Sequence, residues 1–359
     1  MKQRILIIYS HNQGLLSGFY QELSGMLADD GHAVFNFSIK QKRADFEVSG
    51  VQVIVRPKRN LLDNYFQIFK VIRQTKPDVV VSNFGYINPA LLCGKLLGVP
   101  RNIAWFHTAF SHSKRHWFHV WFKKQCFRLA DVVITNSETL NRDMIRYYGV
   151  KPQQLCPIPF WTHIDALKAG DVPLGPIPQD VLKIGCPGRL VIDKNHAVVV
   201  EALAKIDQQY PAWQMYIAGD GPDRSQLQEK ISASHLDQKV TFLGNLSAEA
   251  MKRFYQSMDL IVLPSLHEAF GLVFIEAIAL DTPVLVSKAF GALDFIDTKQ
   301  FDVSAFVFDP EDSDALAAKL LPYFLGKGLD AAYFKSVYSG TFSKSHIYLK
   351  IKQAIIGSY

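Results

Sequence analysis

The chain has 359 residues, 48% of them apolar, and a formal net charge of +6, which is enough to bury two domain cores of ordinary size. No apolar run approaches the roughly 20 residues that span a bilayer. Met1-Lys-Gln-Arg leads straight into Ile5-Leu-Ile-Ile8, too short for a signal-peptide core and without a small-residue cleavage site, so it reads as a first buried strand. Cys93, Cys126, Cys156 and Cys186 are far apart, with no Cys-x-x-Cys or Cys/His metal spacing. The expectation is buried thiols in a reduced, cytoplasmic protein.

Strand and helix signals alternate from the start. Strands are expected at Ile5–Tyr9, Ala33–Ile39, Val51–Val55, Val79–Ser82, Asn102–Phe106 and Val132–Thr135. Helices are expected at Gly18–Ala28, closed by Gly31, at Leu61–Arg73, at Pro89–Leu97, and from the capping Ser137 through Tyr148. This rhythm implies a doubly wound parallel sheet. The Pro- and Gly-rich stretch Asp171-Val-Pro-Leu-Gly-Pro-Ile-Pro178 is the best linker candidate. The pattern restarts at Leu182, with strands near Met215–Ala218, Val240–Leu243, Leu260–Leu263 and Val284–Val286, and Ser345–Ile356 reads as a last helix.

Charge separates the halves. Residues 1–170 carry 22 Lys+Arg against 11 Asp+Glu, and the remainder 17 against 22, so +11 and −5 make up the total of +6. The basic half could meet a membrane, a polyanionic acceptor or nucleic acid; the lack of an RNP motif, zinc finger or helix-turn-helix argues against the last. Within it, Trp117-Phe-His-Val-Trp-Phe-Lys-Lys-Gln-Cys-Phe127 sets aromatics beside Lys114, Arg115, His116, Lys123 and Lys124. Such a helix suits the headgroup layer of a membrane, with Trp117, Trp121 and Phe122 inserted. Its apolar residues form no clean stripe, which suits a buried interdomain helix instead.

The chemistry concentrates in the second half. Leu260–Leu263 is an all-apolar strand stopped by Pro264-Ser265, and Gly271 opens the helix that follows. Glu268 falls in the crevice loop between them, and Glu276 one to two turns into the helix. The open N–H groups near Gly271 and Leu272 favour an anion. A carboxylate, an anion cradle and a second carboxylate in a row suit a nucleotide-sugar. A surface loop and an exposed helix face would equally explain a lone Glu pair. Upstream, Gly188-Arg-Leu-Val-Ile-Asp-Lys194 follows another strand and sets Arg189 and Lys194 towards the crevice. Two cations can take up the charge on a departing diphosphate without a metal. Asp312-Ser-Asp314 mimics an Asp-x-Asp metal motif but more simply supplies acids to a helix N-terminus. Ala218-Gly-Asp-Gly-Pro222 reads as an architectural turn.

Pro264-Ser265, Glu268, Phe270-Gly271 and Glu276-Ala277, with Arg189 and Lys194 upstream, resemble the signature of retaining glycosyltransferases of the GT-B fold, family 4 type. The resemblance implies two Rossmann-like doubly wound parallel-sheet domains facing an interdomain cleft. The first would cover residues 1–165 on the acceptor side, with a linker at 166–180. The nucleotide-sugar domain would span 181–340, and residues 341–359 would form a helix crossing back to the first. In such enzymes Gly188, Arg189 and Lys194 hold the diphosphate, Glu268 the sugar and Glu276 the ribose. Phe270, Gly271 and Leu272 belong to the same donor loop, and Val240–Leu246, ending at Leu246, lines the nucleobase pocket. His107 would reach the donor sugar, and Gly14 would approach the diphosphate as the first of a glycine pair whose second member is here Leu15. The turn Pro159-Phe-Trp-Thr-His-Ile-Asp165 also departs from the family, with Trp161 and His163 shaping an acceptor site or a hinge.

The resemblance implies transfer from a nucleotide-sugar, UDP- before GDP-linked, to a lipid-linked or surface-polysaccharide acceptor. The product would be an α-glycoside, with no metal and no cofactor. The setting would be cytoplasmic, at most peripheral to the inner membrane face. Two other readings stay open: a sugar-nucleotide epimerase on the same fold, and an inactive GT-B module that binds or scaffolds. A Rossmann dehydrogenase is excluded, because Ser10-His-Asn-Gln-Gly-Leu-Leu-Ser-Gly18 after the first strand contains no Gly-x-Gly-x-x-Gly.

Overall fold

The computed structural model describes residues 2–12, 14–40, 42–107, 117–172 and 180–357. It divides into two compact units, one of residues 1–161 with 344–359 and one of residues 162–343.

Unit 1 is built on β1 (Arg4–Ile8), β2 (Ala33–Lys40), β3 (Ala44–Val48), β4 (Val51–Pro57), β5 (Val79–Asn83), β6 (Arg101–Phe106), β7 (Val132–Thr135) and β8 (Leu155–Pro157). They form one sheet in the order β3-β4-β2-β1-β5-β6-β7-β8. The helices are α1 (Leu15–Asp29), α2 (Leu61–Thr75), α3 (Ile87–Leu96), α4 (Trp117–Phe127) and α5 (Glu138–Tyr148). Central strands covered on both faces must be apolar throughout, and Ile5 to Ile8 are fully buried. Ser137 caps α5 as expected, accepting from the Leu140 N–H.

β3 is a strand beyond those expected from the sequence. Its residues pair antiparallel with β4 across the two-residue turn Ser49-Gly50, and both turn residues have positive φ, at 49° and 71°. That is the backbone a tight hairpin needs. Asp-Phe-Glu-Val alternates as a strand should, but every residue of β3 is exposed, so no buried face announced it.

Unit 2 holds β9 (Leu182–Pro187), β10 (Trp213–Ala218), β11 (Val240–Gly244), β12 (Leu260–Leu263), β13 (Val284–Ser287) and β14 (Val307–Phe308). The sheet order is β11-β10-β9-β12-β13-β14, and every neighbouring pair is parallel. Its helices are α6 (His196–Ile206), α7 (Arg224–Ala233), α8 (Ala248–Ser257), α9 (Leu272–Ala279), α10 (Ser313–Phe324) and α11 (Ala331–Thr341). The strand order reverses between β9 and β12. In an open parallel sheet, that switch point leaves a crevice beyond the strands' carboxyl ends where ligands bind.

The division between the units falls at Trp161, short of the expected 165. The residues after it belong to unit 2 because Lys252 of α8 donates to the carbonyls of Asp165 and Leu167 at 2.6 and 2.8 Å. Gly170 also donates to the Glu249 carbonyl at 2.9 Å. The expected linker at 166–180 is therefore docked as far as it is described, and residues 173–179 lie outside the described residues. The return falls at Lys344 rather than 341, where α12 (Lys344–Ile356) begins.

Trp161 is 1% exposed and packs on Phe19 at a centroid distance of 4.2 Å. Its indole N–H donates to Glu22 Oε2 at 2.6 Å, so it anchors the unit 1 core rather than lining an acceptor site. The other oxygen of Glu22 takes the ammonium of Lys344. Along α12, Tyr348 donates to the Met26 carbonyl at 3.1 Å, Lys352 pairs with Asp30 at 2.7 Å, and Arg101 donates to the Ala354 carbonyl at 2.9 and 3.1 Å.

Ile347, Ile351 and Ile355 of α12 are all buried. Ile351→Ala should cost unit 1 about 2–4 kcal/mol. Hydrogen exchange should register that loss in unit 1 amides and leave those of unit 2 unchanged.

Candidate functional site

The unit 2 site grows from the two loops flanking the strand-order switch, one after β9 and one after β12. They are tied to each other: the Leu266 N–H donates to the Asp193 carbonyl at 2.8 Å, and the Lys194 ammonium pairs with Glu268 Oε2. Both partners are about four-fifths buried, at 21% and 20% exposure, where solvent screens a pair less than at a surface. Arg189 is exposed on the same loop as Lys194. One sequence-derived carboxylate and one sequence-derived cation thus meet, and a second cation, Arg189, belongs to the same loop.

The β9 loop is braced by the turn after β10. Gly188 donates to the Ala218 carbonyl at 2.9 Å, Leu190 to the Asp220 carbonyl at 3.1 Å, and Asp223 to the Leu190 carbonyl at 3.1 Å. A Cβ on Gly219 would run into the Gly188 carbonyl oxygen, and one on Gly221 into that of Leu190. Ala218-Gly-Asp-Gly-Pro222 is accordingly an architectural turn, glycine at both contacts because backbone lies against backbone.

The β12 loop is fixed on its other side by a bridge between Glu268 and Phe290 and by the Gly291 N–H, which donates to the Glu268 carbonyl at 3.2 Å. Gly271 has φ +94°, and a Cβ there would strike the Phe290 ring. Phe270 turns its ring inward against Phe295 and Phe342, both at 6.2 Å, and gives its carbonyl to Ala292 at 2.9 Å. It therefore pins the loop, while the start of α9 at Leu272 carries the open N–H groups of a helix terminus. Leu246 lies half-buried beyond β11. Asp312 caps α10, accepting from the Asp314 and Ala315 N–H groups.

Glu276 lies deeper than the sequence implied. It is 3% exposed, and Tyr255 of α8, itself buried, donates to its Oε2 at 2.9 Å. Burial pushes its pKa up to about 7, and the tyrosine hydrogen bond only partly opposes this. No signal in the sequence marked Tyr255, which lies 21 positions away.

In unit 1, His107 directly follows β6, half-buried, and both ring nitrogens are engaged. Nδ1 meets Asn136 Oδ1 at 2.8 Å, while Nε2 meets Asn83 Oδ1 and the Tyr20 hydroxyl at 2.8 Å each. Asn136 is itself oriented by the Trp105 indole N–H at 3.1 Å and the Ile158 carbonyl at 2.6 Å. Each ring nitrogen thus faces an amide oxygen, and a neutral imidazole has a hydrogen for only one of them. Burial holds the ring's pKa down at about 4, so the ring is neutral at neutral pH. Gly14 caps α1 without a side chain, its N–H on Asn12 Oδ1 at 2.8 Å.

Trp117, Phe118 and Trp121 of α4 are 72%, 51% and 50% exposed. Only the far end of the helix, at Cys126 and Phe127, is buried, so the buried-helix reading does not hold for these aromatics. Lys114, Arg115 and His116 lie outside the described residues. Among the described residues no helix is long and apolar enough to cross a membrane.

Two family models match the chain: Glycosyl transferases group 1 over residues 175–333 and Glycosyltransferase Family 4 over residues 19–163. An uncharacterised glycosyltransferase of Methanocaldococcus jannaschii is 34% identical over 130 residues, covering 36% of this chain and 32% of its own length. The amylovoran biosynthesis glycosyltransferase AmsD of Erwinia amylovora is 25% identical over 284 residues, 77% of this chain and 78% of its own. The chain spans about half (51%) of the sulfoquinovosyl transferase SQD2 of Arabidopsis thaliana. Among solved structures, the sucrose-phosphate synthase of Thermosynechococcus elongatus matches with TM-score 0.76 at 20% identity over 98% of both chains. HepE of Anabaena in complex with UDP matches with TM-score 0.77 at 19% identity, over 98% of this chain and 99% of its own. At these identities the structural likeness is one of fold.

A carboxyl whose pKa is raised by folding binds its proton more tightly folded than unfolded. The folded state therefore loses ground as pH climbs from the ordinary carboxylate range through about 7. Glu276→Gln, which keeps an acceptor for Tyr255, should be more stable than the parent at pH 8, by up to about 3 kcal/mol. Thermal melts at pH 5, 6.5 and 8 should show that advantage fading towards pH 5.

Proposed function

The chain belongs to the family 4, group 1 glycosyltransferases, and from that premise we propose that it moves a sugar from a nucleotide-sugar to an acceptor with retention, giving an α-glycoside. The observation that carries the reading is the pairing of Lys194 with Glu268 across the strand-order switch of unit 2, with Arg189 on the same loop as Lys194.

In this reading the donor lies along the β9 and β12 loops. Its diphosphate takes Arg189, Lys194 and the open N–H groups at Gly271 and Leu272; Gly188 allows close backbone approach. The sugar hydroxyls take Glu268 and the ribose hydroxyls Glu276. As the bond between the anomeric carbon and the phosphate oxygen breaks, negative charge grows on the diphosphate, and two preplaced cations oppose it at little reorganisation cost. The acceptor oxygen bonds to the same face of the anomeric carbon, and its proton passes to the leaving phosphate. UDP is the favoured base carrier, consistent with the UDP held by the fold relative HepE.

The acceptor is a lipid-linked or surface-polysaccharide intermediate taken by unit 1. The exposed Trp117, Phe118 and Trp121 support a peripheral contact with an anionic membrane. Lys124 on the same helix favours the charged surface by about 1 kcal/mol where it approaches it, whereas the Lys123 ammonium lies over the buried rings of Phe106, Phe127 and Tyr148.

Arg189→Ala and Lys194→Ala should each lose about 2–4 kcal/mol of transition-state stabilisation, read as slower donor hydrolysis with little change in melting temperature. Activity within twofold of the parent in either variant would sink the diphosphate assignment. A melting-temperature screen with UDP, GDP and ADP should give its largest rise with UDP.

Trp117→Ala/Trp121→Ala should weaken sedimentation with anionic vesicles, and binding of the parent should fall with added salt. Equal binding to neutral vesicles would refute the charge argument.

A further inference from the structure

His196, the first residue of α6, follows directly on the loop that carries Arg189 and Lys194. It is 4% exposed, and burial holds its pKa down to about 4, so the ring is neutral. The Cys186 backbone hydrogen-bonds the ring, whereas Nε2, among the described residues, has no partner. That bond therefore runs through Nδ1, which carries the hydrogen, and Nε2 is left as a bare acceptor. A buried acceptor without a donor is a cost that folds ordinarily avoid.

The Nε2 edge of the ring lies beside Gly188. A Cβ there would stand 3.5 and 3.7 Å from Cε1 and Nε2 of His196, and 3.7 Å from Cδ of Lys194. The acceptor edge of the histidine and the stem of the lysine thus face one spot, which glycine leaves open, and the lysine charge is felt by the ring. An ammonium offers three donors, and Glu268 occupies Lys194 in this structure. A carboxylate partner cancels the charge that a diphosphate needs, while a neutral imidazole steadies the ammonium and leaves its charge in place.

We infer that His196 is a positioning residue for Lys194: when a donor diphosphate draws the ammonium away from Glu268, the Nε2 lone pair accepts a hydrogen bond from one of its N–H groups and holds the charge on the phosphate. This rests on the diphosphate reading of Lys194. A lysine on a flexible stem loses rotamer freedom whenever it is fixed, and an acceptor already buried beneath it lowers that cost.

Two substitutions separate this role from mere support. His196→Asn places an amide N–H where Nδ1 stood and keeps the bond to the Cys186 carbonyl, but removes the remote acceptor. His196→Gln places its terminal oxygen near the former Nε2 and gives up that bond. Calorimetry would use whichever of UDP, GDP and ADP most raises the melting temperature, alongside Lys194→Met and the double variant Lys194→Met/His196→Asn. We expect His196→Asn to weaken nucleoside diphosphate binding five- to tenfold while melting near the parent. His196→Gln should bind within about twofold of the parent despite melting lower. The double variant should bind no more weakly than Lys194→Met alone. Parent-like affinity in His196→Asn with weak binding in Lys194→Met, or additive losses in the double variant, would overturn the inference alone. Parent-like affinity in Lys194→Met would overturn the diphosphate reading, and the inference with it.

Discussion

Direct pairing of β9 with β12 is the constraint on which unit 2 depends. The paired residues are 76 positions apart in sequence, with Leu260 opposite Ile184 and Ile261 opposite Gly185. The close approach is made possible at Gly185, where a Cβ would come within 2.6 Å of Ile261 Cδ1 and 2.8 Å of both Met258 and Phe254. Any larger residue would push β12 or α8 outward. Because β12 is seated there, the loops beyond both strands emerge side by side, and Lys194 can meet Glu268. A glycine in the interior of a strand, ordinarily a weakness, here sets the spacing of the groups that carry charge several residues further on.

Much of this was legible in the sequence because parallel strands must be apolar on both faces. Ile5–Ile8, Val79–Val81 and Leu260–Leu263 stood out for that reason, and the break at Pro264-Ser265 placed Glu268 in a crevice loop. Caps were legible too: Ser137 and Asp312 sit where a short polar side chain precedes a helical run. What escaped was whatever depends on packing rather than pattern. β3 has no buried face, so its alternation meant little beside its charge. The division at Trp161 was hidden because the Pro- and Gly-rich stretch downstream looked more like a linker. The partners of His107 are spread from Tyr20 to Asn136 and become neighbours only once β5, β6 and β7 lie together. The burial of Glu276 was equally invisible, since one helical turn of Leu, Val, Phe and Ile does not say which face meets Tyr255.

Polar groups are buried differently around the two candidate sites. Around His107 in unit 1, Tyr20, Asn83, Asn136 and the imidazole are neutral and form one connected set, with the asparagines also bonded to backbone carbonyls. Such a network fixes the orientation of the ring. In unit 2 the polar groups near the strand-order switch are left in tension. Glu276 carries a carboxyl away from water with a single tyrosine to oppose the cost, and the Lys194–Glu268 pair joins two charges each suited to something else. Stability given up locally is what a site prepared for a charged, hydroxyl-rich ligand would be expected to show.

Glu22 draws together features of unit 1 that sequence distance conceals. One of its oxygens accepts from Trp161, the last residue before the chain leaves the unit, and the other from Lys344, the first residue on return. Unit 2 is, in effect, a 182-residue excursion whose two ends are clasped by one carboxylate on α1. In the language of loop closure, the ends are already together, so a bridge of a few residues in place of the excursion would add little entropy cost. Unit 1 is thus a fold whose two chain segments are pinned together at one carboxylate, on either side of the whole of unit 2.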